Sequence, residues 1–186
     1  MTSIDAKQAA RSLSDIEEIV HRVRQSRTYD VASRITIMWG VLVFAGNLAT
    51  YLWPRYSGYI WIVVNATGVV GTFAFSAFDH QPTGVLHFDF RIATAFLLFF
   101  AFGIFCSSVL GHYTPRQMGT FWPIYFMLFY MLAGLWIGRA LVAIGLGITV
   151  LTLIGYFAIT GAAFPLWMAA VNGGGLILGG LWMRRS

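Results

Sequence analysis

The chain reads as an all-α, polytopic integral membrane protein, with six transmembrane helices preceded by a short amphipathic helix on the cytoplasmic side. Three observations predict this. Six long apolar runs fill the sequence between Ile35 and Trp182, each close to the roughly 20 residues that an α-helix needs to cross a bilayer core. Hydrophobic residues make up 58% of the chain and charged residues 10%, against about 45–50% and about 25% in soluble domains. The charges also gather towards the ends, so a water-facing fold would have to expose whole apolar helices.

The spans fall at 35–53, 59–78, 92–110, 121–137, 141–159 and 164–183. This divides the chain into a cytoplasmic tail (1–34), a membrane bundle (35–183) and a cytoplasmic C-terminus (184–186). Each break has a physical cause. Pro54 disfavours helix at Trp53 before it and removes a donor. The stretch 79–91 carries Asp79, His80, His87, Asp89 and Arg91 around a Pro-Thr-Gly turn, and 112–119 holds Pro115, Arg116 and Gly119. Gly138-Arg139 divides an apolar run too long for one crossing. Thr160-Gly161 and Pro165 separate the last pair.

Charge sets the threading. With the N-terminus inside, the inner face collects Lys7, Arg11, Arg22, Arg24, Arg27, Arg34, Arg91, Arg139, Arg184 and Arg185, and the outer face keeps only Arg55 and Arg116. That asymmetry is the positive-inside pattern, with both tails cytoplasmic. Trp39, Trp53, Trp61, Trp122, Trp136, Trp167 and Trp182 mostly fall near span ends, as an interfacial belt requires. Eleven arginines to one lysine suggest a GC-rich genome, hence a bacterial cytoplasmic (inner) membrane. Cys106 is the only cysteine, so no intrachain disulfide forms. Gly134 with Gly138, Gly175 with Gly179, and Gly103, Ser107 and Gly111 have the small-xxx-small spacing of close helix approach. They read first as packing within the chain, with a homo-oligomer seam as the alternative.

In the tail, Ser14-Asp15-Ile16-Glu17 has the form of a capping box. Behind it Leu13, Ile16, Ile19, Val20 and Val23 recur at helical steps, with acids early and bases late, as the helix dipole favours. This predicts an amphipathic helix running into the first span near Arg34. Two readings compete for it: Arg22, Arg24, Arg27 and Arg34 hold the helix on anionic lipid headgroups, which is preferred, or its Leu-Ile-Val face docks a partner helix or dimerises. The tail does not read as a cleaved signal, because its polar stretch leads into a full-length apolar run. Nucleic acid is not expected, since acids interleave with the bases.

Chemistry is sparse. Asp79, His80, His87 and Asp89 offer carboxylates and imidazoles to a divalent ion, but their spacing matches no metal motif and HExxH is absent. The structural reading is preferred, with Asp79 ending the second span and Asp89 and Arg91 anchoring the interface. His112 is a haem candidate only at a span edge, and no histidine lies mid-span. No ionisable residue falls at the centre of a span, where ion and proton pathways put them. The polar groups at depth are mild: Asn47, Asn65 and Asn172 lead, with Thr67, Thr94, Ser107, Thr149 and Thr152. The three asparagines either bond between helices or line a polar cavity for a neutral ligand. No catalytic constellation is found, and no cofactor is expected.

The segment Tyr130-Met131-Leu132-Ala133-Gly134-Leu135-Trp136-Ile137-Gly138-Arg139, the C-terminal stretch from Asn172 to Arg185, and the charged lead-in from Ile19 to Ser33 together resemble a family of short, uncharacterised six-span bacterial membrane proteins. The resemblance implies the topology and adds no site residues. The leading functional expectation is a non-catalytic regulatory, sensory or accessory membrane protein. A small-solute transporter or channel built on Asn47, Asn65 and Asn172 is the alternative. A metal- or haem-dependent oxidoreductase using His80, His87 or His112 is the third.

Overall fold

The computed structural model describes residues 6–78, 90–109 and 111–185, with side chains for 29–75, 94–109 and 111–185. All the described elements are helical. The first helix, α1 (Ala6–Leu52), runs 47 residues without a break, or roughly 70 Å at about 1.5 Å per residue. Its length has a plain origin: no glycine or proline occurs between Ala6 and Trp39, so nothing interrupts the hydrogen-bond ladder. The capping box expected at Ser14 is not a helix start, because α1 already runs through it. Ala6, Lys7, Gln8, Ala9, Ala10 and Arg11 are strong helix formers and carry the helix further back. The side chains that would make the amphipathic face lie outside the described residues.

Beyond a turn at Pro54–Tyr56 come α2 (Ser57–Phe78), α3 (Phe90–Val109), α4 (Pro115–Ile137) and α5 (Arg139–Ala158). The last span is α6 (Ala163–Met168), a π-helical turn (Ala169–Gly174) and α7 (Gly175–Met183) in series. Five stretches are long and apolar enough to cross a bilayer: Tyr29–Leu52, Pro54–Phe75, Pro115–Ile137, Arg139–Ala158 and Ala163–Met183. A shorter apolar stretch, Thr94–Val109, lies in α3. Leu135, Trp136, Phe157, Tyr59 and Leu178 are among many large apolar side chains on the outside. Such a surface suits lipid and would aggregate in water.

The fourth span differs from expectation at its start. Pro115 and Arg116 read as a break, yet α4 begins at Pro115, six residues before Phe121. Proline at the first helical position sacrifices an amide that has no partner there anyway. Thr114 and Gln117 complete a capping box: the Gln117 amide donates to Thr114 Oγ1 at 3.3 Å and the Thr114 amide to Gln117 Oε1 at 2.9 Å. Gly138 makes the expected break between α4 and α5, with φ 156°. The Tyr29 hydroxyl of α1 fills the space where a β-carbon would stand.

Packing centres on α1, which lies against α2, α6, the π turn, α7 and, more lightly, α4. Helices α4 and α5 form an antiparallel hairpin, and α5 closes against α6 and α7. Met127, Leu141, Ile144, Ile148, Val171, Leu176 and Met183 are the buried core of that side. By contrast α3 is held to α4 by rings: Phe99 stacks on Tyr125 with centroids 4.0 Å apart, and Phe96 meets Phe129 edge-on at 5.9 Å. The glycine pairs face neighbours of the same chain: Gly134 lies on Val142, Gly175 on Ile148, Gly179 on Ile144 and Gly103 under Tyr125 and Trp122.

Candidate functional site

Three consecutive polar links tie α1 to three different helices. Ser33 is fully buried and donates from Oγ to the Gly180 carbonyl of α7 at 2.6 Å. One turn on, the Tyr130 hydroxyl of α4 donates to Thr36 Oγ1 at 3.3 Å. Trp39 Nε1 then donates to Thr72 Oγ1 of α2 at 3.0 Å, and Thr72 donates in turn to the Gly68 carbonyl. The indole of Trp39 lies flat on Gly68, where any side chain would collide with it, and sits 6.5 Å from the Phe126 ring. Each such bond in an apolar medium contributes on the order of 1 kcal/mol or less. Their combined effect is positional: α1 sets the depth and rotation of α2, α4 and α7.

Further along, the π turn carries Asn172, which is 2% exposed. Three glycines follow it directly, and their freedom lets the helix widen there. Thr152 of α5 donates to Asn172 Oδ1 at 3.4 Å, and Asn172 Nδ2 donates to Met168 Sδ at 3.5 Å. Both contacts are long, and a thioether is a weak acceptor. The amide is therefore deeply buried with weak partners, at a type of helix irregularity that recurs at functional sites. Asn172→Ala is expected to cost about 1–3 kcal/mol for the cavity that truncating a buried side chain leaves, and Thr152→Val under about 1 kcal/mol. A double-mutant cycle read by thermal unfolding in detergent should show a coupling near 0.5 kcal/mol, the small value that a long hydrogen bond implies.

At the far end of the hairpin, Arg116 reaches from the first turn of α4 to the last carbonyls of α5. Its Nη2 donates to the Tyr156 carbonyl and, at 2.5 Å, to the Ile159 carbonyl. The guanidinium lies over the rings of Tyr156 and Phe164, 5.3 and 5.2 Å from their centroids. A cation at a helix C-terminus satisfies orphan carbonyls and meets the negative end of the dipole. This cap was missed in the sequence, although Thr114-Pro115-Arg116-Gln117 carries the signature of a helix start.

The expected site residues are scattered. Asn47 is buried on α1 and donates to its own helix at the Val43 carbonyl, 2.9 Å. Asn65 is half-buried on α2 and does the same at the Trp61 carbonyl, 2.7 Å. Among the described residues no hydrogen bond joins any two of Asn47, Asn65 and Asn172. His112 is exposed ahead of α4. Arg34 is exposed and paired with Asp30 at 2.5 Å. Arg22, Arg24 and Arg27 lie on the α1 backbone, with their side chains outside the described residues, as are Asp79, His80, His87 and Asp89 entirely. Among the described residues, no three His, Cys, Asp or Glu side chains gather to hold a metal ion. Among the described residues, the buried polar side chains are neutral: Ser33, Thr36, Asn47, Ser107, Thr120, Thr152 and Asn172. Such groups can bind and orient through hydrogen bonds; they carry no charge with which to relay a proton. No protein-family model, curated protein or solved structure matches this chain.

Proposed function

We propose that this is a non-catalytic regulatory, sensory or accessory protein of a bacterial cytoplasmic membrane, acting through the N-terminal arm of α1. One observation carries the reading. The same uninterrupted helix is both the arm and the hub: residues 6–28 precede the apolar stretch Tyr29–Leu52, and that stretch packs on α2, α4, α6 and α7. A rigid helix can convey rotation or displacement from a partner at the arm to the bundle, because helical hydrogen bonds leave no hinge without glycine, proline or a bulge. Among the described residues the buried polar side chains are neutral, which is in keeping with this role. Six crossings, α3 among them, and cytoplasmic tails accord with the 20 residues of α3 and with the arginine asymmetry.

The test is affinity capture after crosslinking in native membranes, comparing the full chain with one lacking residues 1–28. A specific protein partner should co-purify with the full chain and be lost from the truncated one, while the truncated bundle keeps its thermal midpoint. Identical partner sets for the two chains would overturn the proposal.

A further inference from the structure

The arginines that close the bundle come from helices far apart in sequence, and the tertiary structure gathers them at one end. The Tyr29 hydroxyl rests against Gly138, and Ser33 holds the Gly180 carbonyl. Adjacent turns of α1 thus pin both the start of α5 and the end of α7. Ala140, Leu141 and Met183 share one buried cluster, with Tyr29 packed on it. Arg139 directly precedes Ala140, and Arg184 and Arg185 directly follow Met183. These are not loose ends: the Arg184 amide donates to the Gly180 carbonyl at 3.3 Å and the Arg185 amide to the Trp182 carbonyl at 2.9 Å.

All three arginines are exposed, and among the described residues none has a carboxylate partner. Arg34 stands at the same end, already tied to Asp30, the acid described there. Helix α5 also starts here with no side chain capping it, which adds the positive end of its dipole. Trp136 and Trp182, 81% and 51% exposed, stand two residues before Gly138 and Arg184. Exposed indoles at helix ends mark the depth of lipid headgroups. Guanidiniums at that depth match phosphate oxygens in a two-point fork.

We propose that Arg139, Arg184 and Arg185 form a binding site for the phosphate of an anionic phospholipid headgroup, seated between the start of α5 and the end of α7. The site does not depend on the arm, so it stands or falls separately from the function proposed above. The full chain, purified in mild detergent, is titrated with phosphatidylglycerol, phosphatidylcholine or inorganic phosphate, and bound species are counted by native mass spectrometry. Phosphatidylglycerol should bind more than tenfold tighter than phosphatidylcholine. Arg139→Gln should weaken it about fivefold, and the triple Gln variant should abolish the preference. Arg55→Gln, at the opposite end of the bundle, should leave it intact. The single variant keeps the test decisive if the triple variant fails to fold. Equal binding of the two lipids, undiminished preference in Arg139→Gln, equal loss in Arg55→Gln, or binding of inorganic phosphate in place of lipid would each overturn the proposal.

Discussion

Gly173→Ala is expected to lower the stability of the bundle by about 2–3 kcal/mol, the upper part of the usual range for overpacking. A β-carbon at Gly173 would stand 2.5 to 2.7 Å from Cβ, Cα and N of Phe44. Two of those atoms are backbone, so no rotamer change relieves the clash, and α1 must move away from the last span. Gly40 makes the reciprocal notch, where a β-carbon would meet the Ile177 amide nitrogen at 2.8 Å and the Gly173 carbonyl at 2.9 Å. Because both glycines serve one crossing, Gly40→Ala combined with Gly173→Ala should cost less than the sum of the two. The control is Gly147→Ala on α5, where nothing lies within 4 Å of the added carbon. It removes a glycine from a helix interior without a collision, and should leave the thermal midpoint unchanged or slightly raised. Equal losses in Gly173→Ala and Gly147→Ala would show that helix propensity, not close approach, governs these positions.

Arg116→Ala should cost about 2–4 kcal/mol in thermal unfolding. Two charge-assisted hydrogen bonds to the α5 carbonyls are lost, each of a kind that contributes about 1.5–3 kcal/mol, though not additively. The contacts with the rings of Tyr156 and Phe164 are lost as well. Near a membrane the carbonyls left behind have few alternative donors, so their desolvation is not recovered. Arg116→Lys should restore less than half of the loss, since an ammonium is a point charge without the planar fork that spans two carbonyls. Full rescue by lysine would show that charge at the helix end is sufficient. No loss in the alanine variant would mean that water or lipid caps α5 equally well.

Much of the architecture was legible because bilayer crossing is a local property of sequence. An apolar run expected at 59–78 corresponds to α2 (Ser57–Phe78), and those expected at 141–159 and 164–183 correspond to α5 and to the series from α6 to α7. Pro54 and Gly138 were readable as breaks because proline and glycine act on their own backbone. Readings failed where two local signals competed. Pro115 reads as an interruption although Thr114 and Gln117 beside it cap a helix, and Ser14 reads as a start although the residues before it propagate one. The asparagines stand out by residue type alone. Nothing in the sequence distinguishes Asn65, which bonds to its own helix, from Asn172, which meets Thr152 across a seam.

The sequence by itself determined that the chain is built of long apolar helices, and where Pro54 and Gly138 break them, though not where α1 and α4 begin. Transfer of apolar side chains and the rise per residue depend only on neighbours along the chain. The tertiary structure alone decided which helix each face meets. It placed Tyr29 in the notch of Gly138, Ser33 on Gly180 and Phe44 on Gly173, and set Ala140 and Met183, the neighbours of Arg139 and Arg184, in one buried cluster. In lipid every helix is apolar on the outside, so hydrophobicity cannot choose partners. Shape and a few buried hydrogen bonds choose them instead, and both are properties of two surfaces together.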